Sequence, residues 1–372
     1  MENKRLDSLD ILRGFDLFLL VTFHPVAMAL IRAVDHPLGN LAGTQLRHAE
    51  WEGFVTWDLI MPLFMFMAGV AIPFSFSRFP GQPGTGVYRR IFKRVFLLFL
   101  LGMFCADNLL SLNTDKISFY SNTLQAIAVG YLIASLLVLH FGLRGQIAGF
   151  FLLLATYWAL MKFVSAGGFG GGDYSPDHNL AEYVDRAVLG RFRDKAILEN
   201  GVLNFGSYRY TWIVSSLNFG ATTLSGVFAG QILKGSHAPT RKTGLLIVTG
   251  IAMILAGLAW SLEMPVIKKI WTSSMTLFSS GICFLLMAAF YYFIDCQKHG
   301  RRLAWLTIYG KNSIVAYMLY QIVSFSCITD SFLHGLNPIM GKYYVVLMKA
   351  GNAFLLFGIL WLLYREKKFL KV

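Results

Sequence analysis

The sequence predicts an all-α fold, a polytopic transmembrane helical bundle of about ten spans with both termini cytoplasmic. Three observations predict it. Of 372 residues, 56% are apolar and 14% charged, where a soluble domain carries roughly a quarter charged residues. The apolar residues gather in long runs, each able to cross a hydrocarbon layer about 30 Å thick at about 1.5 Å per helical residue. Lys and Arg concentrate in alternate connections, the pattern that orients helices in a membrane.

The runs lie at roughly 12–34, 54–77, 91–110, 120–141, 146–165, 211–232, 243–262, 271–294, 303–326 and 343–364. Their regular spacing, with no internal repeat and no low-complexity linker, argues for one domain over 1–372. The opening MENKRLDSLDILRGF leads into the first run without a small-residue cleavage site, so it reads as an uncleaved span. One set of connections holds Lys4, Arg5, Arg78, Arg89, Arg90, Lys93, Arg94, Arg144, Lys234, Arg241, Lys242, Lys298, Arg301, Arg302 and Arg365. The other holds only Arg47, Lys116, Lys268, Lys269 and Lys342 in its short loops. The richer side is assigned to the cytoplasm, which requires an even number of spans.

The net charge of +13 is therefore an orientation signal, and a nucleic-acid partner is excluded. Cys105, Cys283, Cys296 and Cys327 show no metal-type spacing and read as core residues; no metal is expected. No Asn-x-Ser/Thr sequon occurs, which favours a bacterial inner (cytoplasmic) membrane. The longest connection, about 166–210, falls outside. It opens with Gly167, Gly168, Gly170, Gly171 and Gly172, and its AEYVDRAVLGRF stretch predicts a short helix lined by Tyr183, Val184, Val188 and Leu189. Connections of this length are often functional.

Chemistry concentrates between the first two spans, in LRHAEWEGFVTWDLIMPLFMFMAG. Trp51 and Trp57 read as an interfacial aromatic belt and Glu50 and Glu52 as a solvated loop. Asp58 enters a continuous apolar stretch, where an ionisable group faces a bundle interior or an aqueous cavity. His48 is of the residue type whose ordinary chemistry suits proton transfer near neutrality. A continuous helix between the two would separate them by about 15 Å. Their cooperation requires the chain to bend, with Gly53 the candidate hinge.

At the cytoplasmic end, Asp10 and Arg13 have i,i+3 spacing and read as an ion pair or an anion site. Arg89, Arg90, Lys93 and Arg94 form the densest basic cluster, a topology signal that also suits the phosphates of a nucleotide cofactor. His24 in mid-span, Asp107 and Asn108, Asn122 and Gln125, Lys311 and Asn312, and Lys349 inside the tenth run imply a polar interior. An enzyme or a transporter needs such an interior.

Several of these segments carry a family resemblance. RLDSLDILRG, HAEWEGFVTWDLIMPLFMFMAG, RRIFKRVFLLFLLG, TLQAIAVGY, MPVIKKIWTSS and YGKNSIVAY run in order along almost the whole chain. They resemble the heparan-alpha-glucosaminide N-acetyltransferase family of transmembrane acyltransferases. The resemblance implies an acetyl donor, acetyl-CoA, taken from the cytoplasm, and a glycan or amino-sugar acceptor outside. It implies that His48 is the catalytic histidine and suggests a homodimer in contact with membrane lipid; Asp58 is the candidate to orient that histidine, directly or through an intervening group. Arg13, Arg89, Arg90, Lys93 and Arg94 are then assigned to the CoA phosphates, and Trp51, His24, Gln125 and Asn312 to the acceptor. The chain departs from the pattern at Phe23 and His24, where relatives commonly have asparagine, and at Ala126, where arginine is usual.

The expected function is acetyl transfer to the amino group of a glucosamine-type sugar on the periplasmic side. Either His48 acts as a base on the acceptor amine, or it carries the acetyl group covalently. An O-acetyltransferase of a periplasmic glycan is one alternative. A transporter of an anionic or lipid-linked solute is the other.

Overall fold

The structure is a computed structural model that describes residues 6–76, 84–106, 109, 110, 112, 117–199, 202–206 and 210–370. Lys4, Arg5, Arg78, Asp107, Asn108 and Lys116, considered above, lie outside these residues. Helices dominate, and the strands among the described residues form two short hairpins, Ser165–Ala166 with Phe169–Gly170 and Ala196–Glu199 with Val202–Phe205. The chain is an all-α, multi-pass membrane protein.

Seven helical segments among the described residues are long and apolar enough to cross a membrane. They are Asp7–Val34, Thr56–Phe76, Thr123–His140, Leu143–Phe163, Pro239–Trp260, Ser273–Cys296 and Ser326–Arg365, the last interrupted before its long helix Tyr344–Arg365. The expected runs at 91–110 and 211–232 are also helices, Thr85–Cys105 and Ser216–Lys234. The first is diluted by Arg89, Arg90, Lys93 and Arg94, the second by Gly, Ser and Thr. The run at 303–326 is not continuous: it breaks at Asn312 into Leu306–Lys311 and Ser313–Ile322. The first long helix also changes pitch. Leu19–Phe23 form a π-turn just ahead of Pro25, whose ring nitrogen cannot donate to the helix ladder.

By its contacts the chain forms two compact units. The first comprises Met1–His48, Val55–Ile60 and Ala289–Lys371. Its framework is a near-contact crossing of two backbones. A Cβ added at Gly14 would lie 1.9 Å from the Leu306 carbonyl oxygen, and one at Gly310 would lie 2.0 Å from that of Asp10. Lipid supplies no hydrophobic drive between apolar helices, so such small-residue crossings gain their stability from close packing. The Thr22 and Tyr309 hydroxyls bond at 2.9 Å across the same helices, and the Asp295 carboxylate accepts from the Ser8 N–H at 3.2 Å.

The second unit comprises Ala49–Phe54 and Met61–Ala288. Gly69 and Gly226 play the same part there, each 1.9 Å by its virtual Cβ from a carbonyl oxygen of the facing helix. The Pro265–Trp271 segment is clamped by polar side chains. Asn218 donates to the Trp271 carbonyl at 2.6 Å, the Trp271 indole donates to Thr222 Oγ1 at 3.1 Å, and the buried Tyr157 hydroxyl donates to the Ile270 carbonyl.

The 166–210 connection folds back on this unit. Its helix is Leu180–Leu189, as expected, but the buried face is Leu180, Ala181, Glu182 and Asp185, while Val188 is exposed. The cause is electrostatic. Glu182 receives the buried Arg193 guanidinium and, at 2.7 Å, Arg186 Nε. Asp185 accepts the backbone N–H groups of Trp212 at 2.7 Å and Ile213 at 3.0 Å. Apolar periodicity did not mark this face, because two of its four buried members, Glu182 and Asp185, are acids.

Candidate active site

His48 and Asp58 are brought together by a bend. After the helix Pro37–Gln45 the chain leaves helical geometry, and it resumes as a 3-10 turn at Thr56–Leu59 that feeds the next span. Gly53 has φ +103°, a conformation open to glycine and strained for other residues. The Gln45 side-chain oxygen accepts from Thr56 N at 3.2 Å and Thr56 Oγ1 at 3.0 Å, which ties the two helical ends. A continuous helix across 48–58 is thereby excluded.

The Asp58 carboxylate is buried and held at several points. One oxygen accepts from Val55 N at 3.2 Å and the other meets His48 Nδ1 at 2.7 Å, while the Asp58 N–H donates to the Val55 carbonyl at 2.9 Å. A carboxylate only accepts, so Nδ1 carries the proton and Nε2 is the basic nitrogen of the neutral ring. The His48 side chain is 44% exposed against 1% for Asp58. The pair thus combines a fixed, water-shielded acid with an accessible base.

His24 stands beside it. Its ring stacks on Trp57 at 4.0 Å between centroids and 16° between planes, and its Nε2 bonds the Leu46 carbonyl at 2.9 Å. Because a carbonyl accepts, Nε2 is the protonated nitrogen and Nδ1 the acceptor. The π-turn and Pro25 lie directly before and after His24 and set the turn from which its ring projects.

Both histidines line a cavity of about 810 Å³ within the first unit. Its wall includes Trp57 and Tyr320 and four basic residues, Arg32, Arg47, Lys342 and Lys349, with no Asp or Glu among the described lining. Sequence reasoning missed this convergence. Arg47 and Lys342 were read as loop charges and Trp57 as an interfacial anchor. Of the lining residues, His24 and Lys349, polar groups inside apolar runs, are the ones that signal a polar interior.

The other expected residues are placed separately. Arg13 pairs with Asp10 at 3.6 Å. Arg89, Arg90 and Lys93 are exposed on the opening turns of Thr85–Cys105. Arg94 is half-buried, lies 4.3 Å above the Tyr131 ring, and has an Nε with no hydrogen-bond partner among the described residues. Trp51 donates to the Tyr174 carbonyl at 3.0 Å. Gln125 is buried and donates to the Phe119 carbonyl at 3.0 Å, while its oxygen accepts from Ser121 N at 2.9 Å. Asn312, at the helix break, donates to the Ile308 carbonyl at 3.0 Å. In this structure Trp51, Gln125 and Asn312 are engaged by backbone groups, and none lines the cavity of His48.

Residues 5–172 match the family model described as "Heparan-alpha-glucosaminide N-acetyltransferase, catalytic". This stretch, under half of the chain, is similar to the catalytic region of that family. The match contains His48, Asp58 and the basic cluster. The chain is also 25% identical over 351 residues to the human heparan-alpha-glucosaminide N-acetyltransferase, covering 81% of this chain and 52% of the relative. It is 23% identical over 350 residues to the mouse protein, covering 81% and 53%. The chain thus spans about half the length of the curated relatives it matches. Tyr320, Lys342 and Lys349, which complete the cavity, lie beyond the family match.

Proposed function

We propose that the chain is an acetyl-CoA-dependent N-acetyltransferase of the inner membrane. It moves an acetyl group from cytoplasmic acetyl-CoA to the amino group of a glucosamine-type sugar on the periplasmic side. The observation that carries this reading is the His48–Asp58 pair, 2.7 Å apart at a cavity wall, inside the catalytic-family match. The acetyltransferase name of the relatives supports the reaction class.

In this reaction His48 Nε2 takes a proton from the acceptor amine as its nitrogen attacks the thioester carbonyl. A C–N bond forms, the C–S bond breaks, and the departing thiolate takes up the proton held by His48. Asp58 keeps the ring in the reactive tautomer and stabilises the imidazolium, an interaction strengthened by its burial. His24 and Trp57 offer the acceptor a hydrogen-bond acceptor and an apolar face. Arg89, Arg90, Lys93 and Arg94 are assigned to the CoA phosphates, with Arg13 as a further candidate. The buried, unsatisfied Arg94 Nε suits such an anion. Ten spans with cytoplasmic termini put the basic cluster inside and His48 outside, and the distribution of Lys and Arg supports this sidedness.

The test is acetyl transfer from labelled acetyl-CoA to glucosamine by the purified chain in detergent. His48→Ala is expected to lose about 10²-fold to 10⁴-fold in rate, with Asp58→Asn intermediate and both unfolding near the native temperature. The product is expected to resist hydroxylamine, as an amide does and an ester does not. Full activity in folded His48→Ala sinks the assignment.

A further inference from the structure

The cavity at His48 has a neighbour. Pro25, Tyr320 and Lys349 also line a second cavity of about 310 Å³, within the same unit. Its other walls mix apolar side chains with four polar ones, Gln321, Ser324, Ser326 and Asn352. Lys349 therefore stands between two adjoining spaces, one with His48 and one with none of the proposed machinery.

The charge of Lys349 is the informative feature. It lies on Tyr344–Arg365, a segment apolar enough to span a membrane, where a cation is retained only against a counter-charge or a functional demand. Among the described residues no ion pair neutralises Lys349, and none neutralises Arg32, Arg47 or Lys342 around the adjoining cavity. Four like charges facing common space repel one another, and an anionic ligand relieves that repulsion. The same field opposes an ammonium ion, so it favours the neutral, nucleophilic form of an acceptor amine at His48.

We propose that Lys349 is a specificity-determining residue that binds a negative group on the acceptor, seated in the second cavity. The preferred acceptor is then an acidic amino sugar, one bearing a phosphate, sulfate or carboxylate beside its free amine. This inference rests on the acetyl-transfer reading for the amine's position, but the anion site itself has a separate readout.

The probes are glucosamine and glucosamine 6-phosphate, offered to the purified full chain, Lys349→Gln and Lys349→Arg. The native chain is expected to favour the phosphorylated sugar by about tenfold or more in kcat/KM, the scale of a charge-assisted hydrogen bond. Lys349→Gln erases that preference by raising KM for glucosamine 6-phosphate far more than for glucosamine, and Lys349→Arg retains most of it. Direct calorimetric binding of glucosamine 6-phosphate is measured in parallel without acetyl-CoA. Transfer to both sugars with no charge preference overturns the inference and leaves the transferase reading intact. Lys349-dependent binding without transfer to either sugar overturns the transferase reading and supports the anion site. Absence of both overturns both. Nanodiscs of phosphatidylcholine, with or without phosphatidylglycerol, separate a sugar from a lipid headgroup: abolition of the sugar-phosphate preference by phosphatidylglycerol assigns the site to lipid and overturns the inference.

Discussion

Two carboxyl groups in the 166–210 connection titrate far above the ordinary aspartate range. Burial pushes Asp185 up to about 7, although the Ile213 and Trp212 N–H groups and Arg193 pull the other way. Burial likewise raises Asp194 to about 7, partly offset by the Arg193 guanidinium 4.0 Å away. A raised folded-state pKa means that the folded form holds its proton more tightly than the unfolded chain. The stability from these groups is complete below about pH 4 and lost as pH rises through about 7. Amide exchange over Leu180–Leu189, corrected for intrinsic rates, is expected to show protection falling by about tenfold or more between pH 5 and pH 8. Asp194→Asn flattens part of that fall; protection that grows with pH refutes the account. None of this was readable from residue order, whereas His48 and Asp58 were. A histidine near the membrane boundary and an acid opening an apolar run announce themselves one at a time.

At the level of helices, composition and spacing located the segments, and backbone chemistry decided their details. Asn312 and Gly310 interrupt an apolar run, and the helix does break there. The reason Gly310 is glycine became visible only in the packing: its virtual Cβ falls 2.0 Å from the Asp10 carbonyl oxygen, backbone that cannot move aside cheaply. Gly310→Leu is therefore expected to cost about 3 kcal/mol or more and to lower the unfolding temperature in detergent. Gly358→Leu, where an added Cβ meets nothing within 4 Å, serves as the control and is expected to change little. Equal effects of the two substitutions would remove close backbone crossing as the framework of the first unit. The π-turn at Leu19–Phe23 was not anticipated, although Pro25 was the available signal.

For the whole molecule, sidedness is the property on which the proposed reaction depends. In a background without the native cysteines, Asn204→Cys is expected to react with a membrane-impermeant maleimide in intact cells. Ser236→Cys, between Lys234 and Arg241, is expected to react only after lysis. Labelling of both from one side contradicts the orientation. Residue order by itself determined the membrane character, the helical class and the approximate helices, because hydrophobicity and the placement of Lys and Arg are local quantities summed along the chain. It also singled out His48 and Asp58, through chemistry that is unusual for their position. Only the tertiary structure decided that these two touch, that His24 stacks on Trp57 beside them, and that Lys349 stands where two cavities meet. Those relations join residues up to hundreds of positions apart through bends, helix breaks and close crossings. Such contacts depend on three-dimensional distances that no local property of the chain contains.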